Sequence, residues 1–110
     1  MTAKIHGRLG SLDCALTTAQ SVYAVPASRK ATVNVRVCNR NSTSATIRLM
    51  HCNGAIGTLA DDDYLEYGYV LGANEVLERT GITMTTTHCI GFYSSTTGVT
   101  VTVDGVEEDV

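Results

Sequence analysis

Residues 31–39 read ATVNVRVCN, and this stretch decides the fold class. Its three valines, Val33, Val35 and Val37, fall at every second position, and the residues between them are threonine, asparagine, arginine and cysteine. Successive side chains of a β-strand point to opposite faces of the sheet, whereas a helical face repeats every 3.6 residues. The stretch therefore predicts a strand with one face in a core and the other towards solvent.

The same alternation recurs along the chain. Residues 45–51, ATIRLMH, place Ile47 and Leu49 on the inward face, and the turn formers of residues 39–44 predict a hairpin between the two runs. Similar short runs predict further strands at 21–25, 64–70, 88–94 and 99–106. No helical period interrupts them, and at 75–80 the short length and nearby glycines argue against a helix. The pattern predicts an all-β protein with a single antiparallel β-sandwich, either immunoglobulin-like or jelly-roll-like.

Composition restricts the partners that this chain is expected to have. Its 110 residues fit one domain, and its net charge of -3 provides no basic stripe for phosphates, so no nucleic-acid partner is expected. No stretch approaches the ~20 apolar residues of a membrane span, and residues 1–10 lack the apolar core of a signal peptide. We therefore expect no membrane partner, a cytoplasmic site of synthesis, and thiols in preference to disulfides at the four cysteines. The charged fraction of 17%, below the usual ~25%, favours a chain that works in an assembly.

The first 20 residues are set apart from the predicted sandwich of residues 21–110. Residues 1–20 are predicted to form an N-terminal arm or edge strand, because Ile5, Leu9, Leu12 and Leu16 have no clear place in the sandwich. An arm of this kind adds a strand to the exposed edge of a neighbouring subunit. The acidic residues 107–110 at the end of the predicted sandwich are predicted to be a short solvated tail, with a docking arm as the alternative.

Residues 63–82, DYLEYGYVLGANEVLERTGI, hold the densest chemistry of the chain, including three glutamates. Paired carboxylates divide acid and base roles in glycoside hydrolysis. On an extended chain, however, Glu66 and Glu78 point away from their apolar neighbours and therefore towards solvent. We expect no catalytic residue and no enzyme activity here. The structural alternative is ion pairing with arginines of the same sheet surface, namely Arg36, Arg48 and Arg79.

Three tyrosines lie in the same stretch. On a regular strand Tyr67 and Tyr69 share one face and Tyr64 lies on the other. Tyrosine packs its ring in a core or lines an interface with its hydroxyl in water, and both uses remain open at this point.

The dipeptide His-Cys occurs at residues 51–52 and again at 88–89. Adjacent residues of a strand point to opposite faces, and no C-x-x-C or H-x-x-x-H spacing accompanies them. The three aspartates at 61–63 lack the spacing of a calcium loop. We expect no metal site and no cofactor.

Several segments, in this order and spacing, resemble a small β-module of structural proteins in tailed bacteriophages, including those of cyanobacterial hosts. The segments are 23–26, 31–40, 44–49, 63–67, 73–82 and 99–108. The resemblance covers residues 20–108 and transfers no catalytic residue.

The resemblance implies a virion structural protein. It favours a decoration or cement protein on the capsid surface, with the major capsid protein and further copies of itself, as a dimer or trimer, as partners. A tail, baseplate or head-fibre component is the alternative within this class, and a host-glycan lectin is the alternative outside it. The residues expected at an interface are Ile5, Leu9, Leu12, Tyr64, Glu66, Tyr67, Tyr69 and Glu78.

Overall fold

The structure is a computed structural model that describes residues 4–14 and 17–110. These residues form eight β-strands and two short 3₁₀ turns, Ile56–Thr58 and Asp61–Asp63. The strands are β1 (Lys4–Cys14), β2 (Gln20–Ala24), β3 (Arg29–Asn39), β4 (Ala45–Cys52), β5 (Tyr64–Leu71), β6 (Val76–Met84), β7 (Cys89–Ser94) and β8 (Val99–Asp109). None of the described residues belongs to an α-helix, so none forms a helix long and apolar enough to cross a membrane.

The strands form two antiparallel sheets that pack face to face. The first sheet has the order β1-β8-β3-β6 and the second has the order β2-β7-β4-β5. The pairings are nested, because β1 pairs with β8, β2 with β7, β3 with β6 and β4 with β5. A long hairpin rolled across two sheets in this way is a jelly roll. The predicted all-β sandwich is confirmed. Of the two predicted topologies, immunoglobulin-like and jelly-roll-like, the strand order matches the jelly roll.

The valines of β3 lie at the centre of the core. Val33, Val35 and Val37 are fully buried, and β8 presents its own inward valines beside them in the same sheet. Burying one such side chain contributes about 2 kcal/mol, which makes this stripe a main source of stability. The second sheet contributes the largest fully buried side chains opposite it: Ile47, Leu49, Ile90 and Phe92.

The strand that the periodicity misses is β6. Its register with β3 shifts between Val33 and Val35, and Gly81 adopts a φ of 70° at this bulge. A bulge inserts an extra residue and reverses the alternation beyond it, so no single period of two runs through the strand. The inward apolar residues are consequently Leu77 before the bulge and Ile82 and Met84 beyond it.

The leading segment is part of the sandwich. Over Lys4–Cys14 it forms the edge strand β1, which pairs with β8 of the same chain. Leu9 and Leu12 pack against the core, so the premise that they lack a place in the sandwich is wrong; Ile5 is exposed. The two leucines were unassigned because the bulge after Arg8 breaks the alternation of β1. Leu16, with residues 1–3 and 15, lies outside the described residues.

The acidic end is also part of the sandwich, contrary to the predicted tail. Glu107 lies in β8 and is almost fully buried. It accepts hydrogen bonds from the hydroxyl of Tyr23 at 2.5 Å and from Nη1 of Arg29 at 3.0 Å. Burial, and secondarily the hydrogen bond to Glu107, raises the pKa of Tyr23, which therefore stays a donor. A buried carboxylate needs such partners, and both lie far from it in sequence.

A buried asparagine joins the loops at one end of the sandwich. Asn39, at the end of β3, is fully buried. Its Oδ1 accepts a hydrogen bond from the backbone N–H of Asn41 at 3.0 Å. The two N–H donors of its Nδ2 are shared among three backbone carbonyls, those of Thr43 at 2.9 Å, Leu71 at 3.1 Å and Gly72 at 3.1 Å. One side chain thus provides hydrogen-bond partners for backbone groups of both the β3–β4 loop and the β5–β6 turn.

Asn39→Asp is expected to lower the free energy of unfolding by about 3 kcal/mol, because a carboxylate cannot donate to the carbonyls and places a charge beside them. Urea unfolding measures the change. Asn53→Asp is the matched control, since Asn53 is exposed in the loop after β4. Equal stability of the two variants would contradict this role for Asn39.

Candidate interface at the open side of the sandwich

β5 and β6 form one open side of the sandwich. β6 is the last strand of the first sheet, β5 is the last strand of the second, and residues 72–75 join them directly. An edge strand presents unpaired backbone N–H and C=O groups along its outer side. The open side, meaning β5, β6 and the turn between them, therefore has two such edges next to each other.

Two irregularities in β5 decide where its tyrosines point. The register with β4 shifts at Leu65 and at Gly68, whose φ is 72°. As a result Tyr64 and Tyr67 share the outer face of the second sheet, with ring centres 4.8 Å apart and planes at 90°. Tyr69 lies on the opposite face. The prediction that Tyr67 and Tyr69 share a face is wrong, because it assumed a regular strand.

Tyr67 is exposed but held in place. The guanidinium carbon of Arg48 lies 4.4 Å from the ring centre of Tyr67 and 4.6 Å from that of Tyr93. A cation between two aromatic faces is attracted to both. Tyr67 nevertheless remains 65% exposed. A side chain ordered before binding loses less entropy when a partner covers it.

The exposed apolar side chains concentrate on this side. Of the seven large ones in the described part of the chain, five belong to β5 and β6, with Val70 64% exposed. We call these five the β5–β6 strip: Leu65, Tyr67, Tyr69, Val70 and Val76. Exposed apolar side chains that include aromatic residues are typical of protein interfaces. The sequence pattern indicated the tyrosines of this strip but not Leu65, Val70 or Val76, although two valines flanking a turn were a usable signal.

Glu66 connects the two sheets. It lies opposite Leu49, so it faces inward at the open edge. Nε and Nη2 of Arg79 on β6 both lie 2.8 Å from its Oε2. The prediction that Glu66 points to solvent is wrong for the same reason as for the tyrosines. Its predicted pairing with Arg79 is present, but across the sandwich and not along one sheet surface.

Glu78 behaves as predicted. It lies opposite Arg36 of β3 on the outer face of the first sheet, with 3.7 Å between Oε1 of Glu78 and Nε of Arg36. Both side chains are more than half exposed, and such a pair contributes little to stability.

Apart from Val76 at the start of β6, the outer face of the first sheet differs in character from the β5–β6 strip. Arg36 also pairs with Asp104 at 3.1 Å, and Glu108 lies 3.5 Å from Lys4 and 3.7 Å from Lys30. Charges that are already paired and hydrated are costly to bury without equivalent partners. This face is therefore suited to water, and the open side to a protein contact.

The two His-Cys dipeptides meet across β4 and β7. Nε2 of His51 lies 2.9 Å from Nδ1 of His88, and Cys52 lies opposite Cys89 on the other face of the sheet. Histidines and cysteines thus separate by face, as the alternation predicts. Among residues 4–14 and 17–110, no three His, Cys, Asp or Glu side chains converge to hold a metal ion. Asp63 instead accepts the backbone N–H of Ala60 at 2.9 Å.

The histidine pair makes stability depend on pH. Burial, and then the neighbouring His88, lowers the pKa of His51, while Asp63 opposes this shift. The unfolded chain then binds more protons than the folded one below about pH 6.5, so stability falls as pH falls through this region. His51→Gln is expected to flatten this slope in urea unfolding measured between about pH 7 and pH 5. His6→Gln, at an exposed position of β1, is expected to leave the slope unchanged; equal slopes in all three proteins would contradict the assignment.

Comparison with known proteins gives structural relatives only. No protein-family model matches this chain, and no curated protein matches its sequence. Among solved structures it is similar to a chain in the acidic stable capsid structure of Helicobacter pylori bacteriophage KHP30, with 11% identity and a TM-score of 0.51 over 100% of this chain and 94% of that one. It is also similar to a chain of infectious bursal disease virus Gx strain, with 9% identity and a TM-score of 0.50 over 98% of this chain and 32% of that one. At these identities the likeness shows that the jelly roll of this chain is a fold shared with chains of viral particles.

Proposed function

We propose that this chain is a virion structural protein that decorates the outside of an assembled capsid and cements it. The observation that carries the proposal is the likeness to a chain in a bacteriophage capsid over 100% of this chain and 94% of the other. There the matched chain is about as long as this one, whereas the birnavirus likeness covers 32% of a longer chain. A jelly roll of this size therefore occurs as a complete chain within a phage shell. The resemblance of its segments to modules of phage structural proteins points the same way.

The surface supports one orientation on the shell. The β5–β6 strip provides exposed apolar and aromatic side chains for the major capsid protein, and the ion-paired outer face of the first sheet faces water. Tyr67, ordered against Arg48, is the anchor residue of this contact. Aromatic anchors at the centre of an interface carry a large share of binding energy.

The proposed mechanism is thermodynamic. A protein that binds only the assembled shell shifts the assembly equilibrium towards it, by an amount that grows with its concentration over its Kd. Further contacts between copies of this chain, in dimers or trimers around a local symmetry axis, make each attachment multivalent. Modest contacts repeated over a closed shell then oppose its expansion. The proposal assigns the chain no catalytic step, in keeping with the pairing of Glu66 and Glu78 to arginines.

The alternative within the same class is a tail, baseplate or head-fibre component. Copy number separates the two roles, because a decoration protein is present in a fixed ratio to the major capsid protein over the whole shell. Quantitative mass spectrometry of purified particles measures that ratio. A few copies per particle would contradict decoration and favour the tail or fibre role.

Tyr67→Ala and Val70→Asp are each expected to weaken binding to shells that lack this protein by about 10-fold or more, since each removes apolar contact area or places a charge in it. Co-sedimentation with such shells measures the affinity. Both positions are exposed, so the Tm of the unbound protein is expected to change little.

Thr32→Asp is the matched control for Val70→Asp, because it adds the same charge at an exposed strand position on the outer face of the first sheet. It is expected to bind like the wild type. Weaker binding by Thr32→Asp alone would place the contact on the first sheet and contradict the proposed orientation.

A further inference from the structure

Two buried thiols lie side by side on the outer face of the second sheet. Cys52, at the end of β4, is directly opposite Cys89, at the start of β7. Both side chains are buried. The chain separates them by a long stretch that includes β5 and β6.

The ladder places the two residues at a distance that suits a disulfide. Ser95 donates its backbone N–H to the carbonyl of Thr46, which makes these two residues a hydrogen-bonded pair. The register between β4 and β7 then continues without a shift to Cys52 and Cys89. Pairs of the hydrogen-bonded kind recur at every second position of an antiparallel ladder, with Cα atoms about 5.5 Å apart. Disulfides have Cα atoms most often about 5.5–6 Å apart. The backbone therefore needs little movement to join the two sulfurs.

We propose that Cys52 and Cys89 form a reversible cross-strand disulfide that locks β4 to β7 when the protein meets a disulfide oxidant such as oxidised glutathione. One cysteine, as thiolate, attacks a glutathione sulfur and releases one glutathione as a thiol. The other cysteine, as thiolate, then attacks the sulfur of the first cysteine in this mixed disulfide and releases the second glutathione as a thiol. The protein thus loses two protons and two electrons, and the glutathione disulfide gains them.

A cap makes the reaction slow. Ile56, Leu59, Tyr64 and Tyr93 pack against the buried cluster of Met50, Cys52 and Cys89, and the side chain of Ile56 occupies the space where a Cβ at Gly91 would lie. An oxidant therefore reaches the sulfurs only when the segment 53–63 opens. Burial, and then the neighbouring Cys89, also raises the pKa of Cys52, which keeps its thiolate scarce. The disulfide is accordingly expected to form slowly, during long exposure of the protein to the oxidant.

The other two cysteines serve as internal controls. Cys14 lies on β1 and Cys38 on β3, and β8 separates these strands in the first sheet. Neither lies opposite another cysteine, and Cys38 is only half-buried, so it is more accessible to reagents than the proposed pair.

The test is incubation of the folded protein with oxidised glutathione, followed by peptide mapping without reduction. The expected product is a single intramolecular link between Cys52 and Cys89, removed by dithiothreitol, with a Tm rise of roughly 10 °C. Cys38→Ser is expected to give the same link and the same rise. Cys52→Ser is expected to give neither, and the mapping of the wild type stands even where this variant folds poorly.

Access through the cap is tested separately. Ile56→Ala is expected to speed formation of the link several-fold, whereas Ile5→Ala, at an exposed position on β1, is expected to leave the rate unchanged. Three outcomes would overturn the proposal: no link in either the wild type or Ile56→Ala, only a mixed disulfide with glutathione, or a link that includes Cys14 or Cys38. A link without a rise in Tm would overturn the proposal that the disulfide stabilises the pairing of β4 with β7.

Discussion

Burial of the β3 valines between two sheets is the constraint on which the rest of the structure depends. β3 lies between β8 and β6 in the first sheet, and its inward side chains face β4 and β7 of the second. Because the strands pair in nested fashion, this one packed layer fixes β5 and β6 as neighbouring edges. The position of the exposed strip is thus a consequence of the core, although no core residue belongs to it.

The sequence predicts the strands whose alternation is regular and fails where bulges interrupt it. The period of two through Val33, Val35 and Val37 was enough to identify a half-buried strand and an all-β sandwich. Extra residues near Gly68 and Gly81 reverse the alternation, which hid β6 and misplaced Glu66 and Tyr69. A bulge depends on tertiary packing as well as on local preference, so a period count alone does not locate it.

Interactions between distant residues were the other limit. In the sequence Glu107 resembles a residue of a solvated tail, because its partners Tyr23 and Arg29 lie far from it along the chain. The strip posed the same problem, since its apolar residues match core residues in type and differ only in lying on an edge. The pair of Arg36 and Glu78 was easier to predict even though β6 was not recognised, because it required only that Glu78 point away from Leu77.

The outward-facing residues of β4 connect the arginine–tyrosine contacts with the thiol pair, both of which lie on the outer face of the second sheet. The successive outward residues of β4 are Arg48, Met50 and Cys52, which respectively hold Tyr67 and Tyr93, support the cap and oppose Cys89. Tyr93 belongs to both neighbourhoods, because it packs on Arg48 and also against the cluster of Met50, Cys52 and Cys89. A covalent bond between β4 and β7 therefore restricts the two strands that position the arginine and its second aromatic partner. Arg48, and with it Tyr67 of the exposed strip, thus lies in the same row of side chains as the proposed disulfide.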